Sequence, residues 1–385
     1  MNEAGESSSE RLKLVADVAR ESVSRNILPF VEEWEHNRKF PAGELFRKLG
    51  SDGLLGLNKP ARFGGMEFGY DCHAQMLRAL GTIPSGGVSL AITVQTDLAT
   101  PALATYGSDE LRDEFLTPSI GGELVCSLAV TETEAGSNVA GIKTSAIRKG
   151  GDYVINGNKC WITNGAQADW YCLLAITDPD YSGSLGLNMG LFCVPADATG
   201  VVVERTLDTL GVHASDTAAL SFQNVSIPAR YVIGNDRKGF MYQMKQFQFE
   251  RLGLTLASIQ SMKITLEKTI EYAKERKLRG QAIFDYQYNR LALAELYCQL
   301  RLLDEFADKT VQKVMVGESV QVDVSILKLS CGRLSRVMND RCMQIWGAMG
   351  FSEENFVARK FRDERLLSIG GGADEVMLEI IASSL

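Results

Sequence analysis

The sequence predicts a multidomain α+β protein with an N-terminal α-helical domain, a middle β-barrel or sandwich domain and a C-terminal four-helix bundle. Two observations support this architecture. The spacing of apolar residues changes from helical to strand-like and back to helical along the chain. The 385 residues also exceed the roughly 250–300 at which a single hydrophobic core tends to split. We therefore assign the domains to residues 1–122, 123–236 and 237–385.

Helical spacing dominates the first region. Leu12, Val15, Val18 and Ala19 fall on one face of a helix, and the apolar segments 74–79 and 88–103 are also compatible with helices. Proline and glycine interrupt the pattern at Phe40-Pro41, Gly64-Gly65 and Pro84-Ser85-Gly86-Gly87. The region therefore predicts several helices joined by turns.

The second region consists of short strand-like segments between turn residues. Residues 145–148 and 153–155 flank Gly150-Gly151-Asp152, which is a hairpin signal. The other predicted strands are 160–163, 170–176, 190–194, 200–204 and 219–225. Regularly spaced short strands of this kind are typical of a barrel or a sandwich.

Long helices return in the third region. The predicted helices are 239–279, 288–316, 322–347 and 374–381. Each has an apolar face and the connections are short, which favours an antiparallel four-helix bundle.

Composition excludes several classes of protein. The net charge is −8 and Lys and Arg are scattered singly, so we expect no nucleic-acid partner. Eight cysteines form no CxxC pair and three histidines lack ligand spacing, so we expect no metal site and buried, reduced thiols. No apolar run approaches the roughly 18 residues of a membrane span, and the polar, acidic start resembles neither a signal nor a transit peptide. A soluble intracellular protein is predicted.

Two segments of the β region suit a flat heterocyclic ligand. The first runs from Val130 through Gly136 to Ser137 and offers hydroxyls and backbone donors after a strand. In the second, Trp161 can cover one face of a ring while Thr163 bonds to its edge. For the first segment the alternative is an ordinary polar loop, and for the second it is a core tryptophan at a strand end. Neither segment alone decides between a ligand site and its alternative.

Glu250 is the candidate general base. It has Met244 and Phe247 within two turns before it and Leu254 one turn after it on the predicted helix. A carboxylate facing that apolar stripe would have a raised pKa, as a useful base requires. The alternative is an exposed glutamate or one paired with Arg251.

Taken together, these features resemble the acyl-CoA dehydrogenase family over essentially the whole chain. The similarity rests on segments that occur in the family's order: Leu128-Ala129-Val130-Thr131-Glu132, Ala135-Gly136-Ser137, Gly157-Asn158-Lys159-Cys160-Trp161-Ile162-Thr163-Asn164-Gly165, Glu275-Arg276-Lys277, Gln344-Ile345-Trp346-Gly347-Ala348-Met349-Gly350 and Arg362-Asp363. Any one of them is weak evidence, whereas the ordered set is specific.

The resemblance implies an FAD site between the β domain and the bundle, in a cleft shared with a second subunit. Trp161 would cover the isoalloxazine and Thr163 would bond to its reactive edge, with Ile162 between them. The other residues implied to line the flavin are Leu128, Val130, Thr131, Gly136 and Ser137, and those implied to hold the pyrophosphate and adenosine part across the interface are Arg276, Gln287, Gln344 and Gly347. A homotetramer is therefore expected.

The sequence departs from the common family pattern at the catalytic base. Most members carry it in a C-terminal Tyr-Glu-Gly-Thr loop, which reads Gly370-Gly371-Gly372-Ala373 here. A minority, of the isovaleryl and long-chain type, place it on the first helix of the bundle before an arginine, as Glu250-Arg251 does; the loop itself looks closest to citronellyl-CoA dehydrogenase. Ala373 replaces an expected hydroxyl and Arg279 an expected phenylalanine near the nucleotide.

The implied reaction is α,β-dehydrogenation of an acyl-CoA to the trans-2-enoyl-CoA, as in β-oxidation of fatty acids. Glu250 would take the pro-R α-proton while the β-hydrogen leaves as hydride to flavin N5. The residues implied to contact the substrate are Ser137, Arg251, Gly371 and Gly372. We also expect the volume left by the missing loop glutamate to admit branched acyl groups, unless Gly371 only relieves a strained turn.

Three alternatives stay open at this point: an acyl-CoA oxidase, a flavin monooxygenase on the same fold, and a non-catalytic acyl-CoA- or flavin-binding scaffold. Electron-transfer flavoprotein is the acceptor that the resemblance implies. The bacterial cytoplasm or the mitochondrial matrix is the expected compartment.

Overall fold

The structure, a computed structural model, describes residues 8–184 and 186–385. The first seven residues of the predicted N-terminal domain thus lie outside the described part. Helices precede a β-sheet, and helices follow it, which confirms the predicted α+β architecture. The exact domain boundaries remain predictions.

The N-terminal part is helical. Its helices are α1 (Ser8–Asn26), α2 (Val31–Asn37), α3 (Ala42–Ser51), α4 (Tyr70–Leu80), α5 (Gly86–Thr93), α6 (Pro101–Tyr106), α7 (Asp109–Leu111) and α8 (Thr117–Ile120). The face predicted for α1 is buried at Val15 and Ala19. Pro41 precedes the first residue of α3, so the predicted break there is a helix start.

α5 continues as a π-helix over Val94–Ala99, where the sequence predicts an uninterrupted α-helix. Pro101 follows and cannot donate a backbone hydrogen bond into the turn before it. The Thr100 hydroxyl donates instead to the carbonyl of Gln95 over 2.9 Å. The wider π turn places Asp97 in the interior with 1% of its surface exposed. Such turns occur frequently at functional sites.

The described strands form a seven-stranded sheet. They are β1 (Cys126–Ala129), β2 (Ser145–Lys149), β3 (Asp152–Thr163), β4 (Trp170–Ile176), β5 (Met189–Pro195), β6 (Val201–Thr206) and β7 (Thr217–Pro228). The strand order is β1-β4-β2-β3-β7-β6, and β5 pairs with β4.

The strand β3 continues through Asn156-Gly157-Asn158, where the sequence predicts a gap between the strands 153–155 and 160–163. The chain stays in the sheet and shifts register against β7 between Ile155 and Gly157 and again between Lys159 and Ile162. A Cβ at Gly157 would lie 2.4 Å from Thr144 Oγ1, so glycine permits the close approach of β3 to the residue that precedes β2. The predicted gap is therefore a β-bulge.

The C-terminal part is a bundle of long helices with two short ones. The helices are α9 (Gly239–Glu275), α10 (Gln287–Met315), α11 (Gln321–Trp346), α12 (Phe356–Asp363) and α13 (Asp374–Ala382). The sequence did not predict α12, because charged residues occupy much of its buried face. Its buried Arg359 and Lys360 bond to Glu32 and to the carbonyl of Ile83.

The helix α9 ends at Glu275, four residues before the predicted end. Lys277–Leu278 instead pairs with Gln281–Ala282 in a two-stranded hairpin. The turn has Arg279 at φ 53° and Gly280 at φ 83°. A left-handed turn of this kind cannot continue a helix.

Two hydrophobic cores meet on α9. One core joins the N-terminal helices to the bundle and includes Leu252 and Leu256. The other fills the sheet and includes Tyr242, with Phe247 packed against it. Glu250 thus lies at the junction of the two cores. In the described ranges no helix has the length and apolarity to cross a membrane. The eight cysteines are free and six of them are buried.

Candidate active site

Glu250 lies on α9 with 5% of its surface exposed. Its Oε2 atom accepts no hydrogen bond from the residues that the structure describes. A buried carboxylate oxygen without a partner costs free energy, so such atoms are rare in cores that serve packing alone. Oε2 therefore retains its capacity to accept a hydrogen bond or a proton from a ligand, as a general base requires.

Burial raises the pKa of Glu250 to about 7. The cations of Arg251 and Lys328 act in the opposite direction, and the charge of Asp97 adds to the increase. A base whose pKa lies near neutral pH combines an ionised fraction with a high proton affinity. The sequence predicted a raised pKa for Glu250 from its apolar neighbours, and burial is the main cause of the increase in the structure.

A glycine loop packs directly against this carboxylate. The carbonyl of Gly371 accepts a hydrogen bond of 3.1 Å from Arg251 Nε, and that of Gly372 accepts one from Lys328 Nζ. A Cβ at Gly371 would lie 3.1 Å from Glu250 Oε1 and 3.2 Å from Leu254 Cδ1. The structure thus brings together the predicted residues Glu250, Arg251, Gly371 and Gly372.

Side chains of α9 reach into the space in front of Gly371, which was expected to be free. The carboxylate of Glu250 lies there, together with the Leu254 methyl group. Gly371 has φ 65° and Gly372 has φ 104°, which are conformations that favour glycine. The strained-turn interpretation of Gly371 therefore has direct support, and room for a branch depends on how substrate and Glu250 share this space.

The β side of the site presents an exposed indole. The bulge before Ile162 gives Trp161 φ 64° and leaves 59% of its surface exposed. The backbone N–H of Cys160 donates to the carbonyl of Thr131 over 2.9 Å, and the Ser127 hydroxyl donates to that of Thr163. The loop after β1 and the end of β3, the two segments that the sequence singled out for a flat ligand, are thus held side by side.

The other predicted residues of this group differ in what they can offer a ligand. Gly136 and Ser137 are exposed, and Leu128 is half-buried. The side chain of Ile162 is 1% exposed and that of Val130 is 3% exposed, both inside the sheet core. Only the backbone of these two residues is available for binding. The set fits a flat ring system, since an exposed aromatic face lies beside hydroxyls and free loop amides.

The segment that precedes α6, made of α5 and the π-helix, links the β side of the site to the part around Glu250. Asn164 Nδ2 donates to the carbonyl of Ala91 over 3.0 Å, and the N–H of Cys126 donates to Gln95 Oε1 over 2.8 Å. The same segment carries Asp97, whose charge acts on Glu250. The strand ends and the base are therefore positioned by one shared element.

A third group of predicted residues lies at the far end of the bundle. Arg276, Gln287, Gln344 and Gly347 are all exposed. They come together because the ring of Tyr272 stacks on Trp346 at 4.0 Å and Arg341 donates to Tyr288 over 2.6 Å. Arg276 follows Glu250 by 26 residues of α9, which is roughly 39 Å at the helical rise. These groups are therefore remote from the base of their own chain.

Three residues that contribute to the site were not predicted. Lys328 and Asp97 act on Glu250 through the fold, and neither has a local sequence signal. Lys159 has a fully buried side chain and donates to the carbonyl of Val130 over 2.8 Å and to Glu132 over 3.0 Å. It fixes the loop after β1, and its place inside the Gly157–Gly165 motif was the one available hint.

Known proteins similar to this chain were found both by sequence and by structure. Three family models match consecutive parts of the chain: the acyl-CoA dehydrogenase N-terminal domain at residues 9–123, the middle domain at 127–225 and the C-terminal domain at 237–385. The long-chain specific acyl-CoA dehydrogenase of Rattus norvegicus is 30% identical over 96% of this chain and 86% of its own length. The isovaleryl-CoA dehydrogenase of Solanum tuberosum is 31% identical over 96% of this chain and 88% of its own.

Among solved structures, a probable acyl-CoA dehydrogenase from Mycobacterium abscessus superposes with a TM-score of 0.92. It is 33% identical, and the alignment covers 98% of this chain and 99% of that one. The similarity therefore extends over the complete fold, from the N-terminal helices to the end of the bundle.

Proposed function

The chain belongs to the acyl-CoA dehydrogenase family, and we propose that it oxidises an acyl-CoA thioester to the trans-2-enoyl-CoA with Glu250 as the base. It is an oxidoreductase that uses FAD, as members of this family do. The observation that carries the role of Glu250 is its buried carboxylate, whose Oε2 has no partner in the described part of the chain. Catalysis in β-oxidation is the expected context.

The site must make an unusually weak carbon acid react. Glu250 takes the α-proton, and negative charge develops on the thioester oxygen. The N–H groups of Gly371 and Gly372 make no hydrogen bond within the described residues, so they are available to stabilise that charge. Arg251 holds the loop in place through the carbonyl of Gly371. FAD, when bound, accepts the β-hydrogen and its electron pair.

The residues that would hold FAD are those of the β side and of the far bundle end. Trp161 would cover the ring system, with Thr163 and the loop amides around Thr131 at its edge. The exposed, positive-φ conformation of Trp161 supports this assignment, because a strained conformation persists where function requires it. Electron-transfer flavoprotein is the acceptor we propose, and the bacterial cytoplasm or the mitochondrial matrix the compartment.

Anaerobic addition of acyl-CoA tests the function directly. We expect bleaching of the flavin absorbance band, since the electron pair has no other destination without oxygen. Absence of bleaching with every acyl-CoA of a panel of straight and branched chains would support a non-catalytic scaffold instead. Rapid hydrogen peroxide formation on admitting oxygen would favour the oxidase alternative.

The rate of flavin reduction is expected to fall as the pH drops through about 7, because protonation removes the base. Below that pH the apparent second-order rate constant should decrease by about tenfold per pH unit. Stopped-flow reduction across a pH series measures it. The residual rate of the Glu250→Gln variant should show no such limb, and a wild-type rate that stays flat into acidic pH would contradict the assignment.

We further propose that FAD binding requires a homotetramer. Arg276 and Gln287 are exposed and remote from the Glu250 of their own chain, so they would reach the cofactor of a neighbouring subunit. Leu291, one turn after Gln287, is 58% exposed, as expected of a face that a second copy covers.

Leu291→Glu is therefore expected to release flavin and to dissociate the assembly together. Flavin absorbance and light scattering measured on the same size-exclusion peak check this. Leu14→Glu on α1, where the leucine is 52% exposed, is the matched control and should keep both. A stable monomer that retains stoichiometric FAD would overturn the proposal.

A further inference from the structure

A buried acid–base pair lies behind the candidate base. His73 Nε2 on α4 is 2.8 Å from Asp97 Oδ1 and 3.0 Å from Oδ2, and both side chains are 1% exposed. The Thr96 hydroxyl donates to the same carboxylate over 2.6 Å. Lys59 Nζ lies beside it and donates to the carbonyl of Thr96 over 2.7 Å. The carboxylate of Asp97 is thus rigidly held.

This pair contacts the turn of α9 that carries Glu250. A Cβ added at Gly253, one turn after Glu250, would lie 3.5 Å from Asp97 Cγ. The ring of Tyr70 packs 5.6 Å from Phe249 and 5.4 Å from His73. Glycine at position 253 therefore lets the carboxylate of Asp97 approach the helix closely.

The cluster is not a fully satisfied structural network. His73 Nδ1 and the Tyr70 hydroxyl are buried and have no hydrogen-bond partner among the described residues, like Oε2 of Glu250. Buried networks that serve stability alone satisfy their polar atoms, because each unpaired one costs free energy. The destabilising arrangement beside Glu250 indicates a role in the site.

The charges around Glu250 are mostly positive. Arg251 faces it from its own helix and Lys328 from α11, with Asp374 of α13 compensating Lys328. His73 of α4 contacts Asp97 instead. Asp97 is the anion that raises the pKa of Glu250 alongside burial. Without this anion the two nearby cations would act on the base unopposed by another charge.

We propose that Asp97, held by His73, is a positioning residue that keeps Glu250 a strong base against Arg251 and Lys328. The inference rests on the proposed role of Glu250. Asp97 does not touch the substrate in this role. It acts on Glu250 through space, across the contact that Gly253 permits.

Infrared titration of the FAD-loaded protein without substrate tests the proposal. The carboxyl band of Glu250 is assigned by its loss in Glu250→Gln, and its midpoint is followed with pH. In Asp97→Asn the midpoint should fall by about half a unit or more, because a like charge is removed. In the control Asp304→Asn, which neutralises a buried acid paired with Arg78 and Lys263, it should not move. An unchanged midpoint in Asp97→Asn would overturn the proposal.

A second variant covers the case in which Asp97→Asn does not fold. Asp97→Ser also removes the charge but keeps a hydroxyl that can bond to His73, so the midpoint should fall as in Asp97→Asn. An unchanged midpoint in this variant would overturn the inference. The two proposals fail separately: full turnover by Glu250→Gln would refute Glu250 as the base, whereas the midpoint shift concerns Asp97 alone.

Discussion

Glu250→Gln is expected to lower the rate constant of flavin reduction by about 10²–10⁴, the usual contribution of a general base. Glutamine keeps the shape of the side chain and its capacity to accept a hydrogen bond, but it cannot take the α-proton. The substitution also removes a buried carboxylate whose Oε2 has no partner in the described structure, so the fold should not be destabilised. FAD content should stay near the wild-type value. Anaerobic stopped-flow reduction by an acyl-CoA measures the effect.

Glu267→Gln is the matched control, since Glu267 is exposed on the same helix. It should reduce flavin at the wild-type rate. A Glu250→Gln rate within about threefold of wild type would exclude Glu250 as the base. The base would then have to come from elsewhere, because Gly371 cannot accept a proton.

Periodicity predicted the elements whose buried face extends over several turns. The strand 170–176 is β4 itself, and the long helices α9 to α11 were found to within four residues at each end. The errors have local causes. Hairpin bonds after Glu275 end α9 early, and the Thr100 hydroxyl and Pro101 favour a π turn. Periodicity does not report bonds of this kind.

The site divides in the same way between local and long-range information. The burial of Glu250 was predictable because its sequence neighbours are also its spatial neighbours on a helix. The effects of Asp97 and Lys328 on the pKa of Glu250 depend on how α9 packs against distant segments. The contact of Glu250 and Leu254 with the space before Gly371 likewise follows from tertiary packing, which a count of missing atoms in the sequence does not report.

Gly371→Ala is expected to slow flavin reduction by about 10–100-fold, since small displacements of a catalytic group cost rate steeply. The new methyl group would lie 3.1 Å from Glu250 Oε1 and 3.2 Å from Leu254 Cδ1, so the carboxylate must move. Gly317→Ala is the matched control: its φ is 75°, close to the 65° of Gly371, and nothing lies within 4 Å of its Cβ. Equal losses in both variants would mean that backbone strain, rather than contact with Glu250, is responsible.

The same position decides whether relocation of the base made room for branched substrates. In a Glu250→Gly background the carboxylate that crowds Gly371 is gone, so the additional change Gly371→Glu can place a base on the loop. The positive φ at this position costs roughly 1–2 kcal/mol for a residue with a Cβ, so we expect partial recovery. Straight-chain acyl-CoAs should regain activity, and branched ones should not, because the new side chain fills the space beside the reacting carbons. If the wild-type enzyme already rejects every branched acyl-CoA while oxidising straight ones, Gly371 serves the turn and the contact with Glu250 alone.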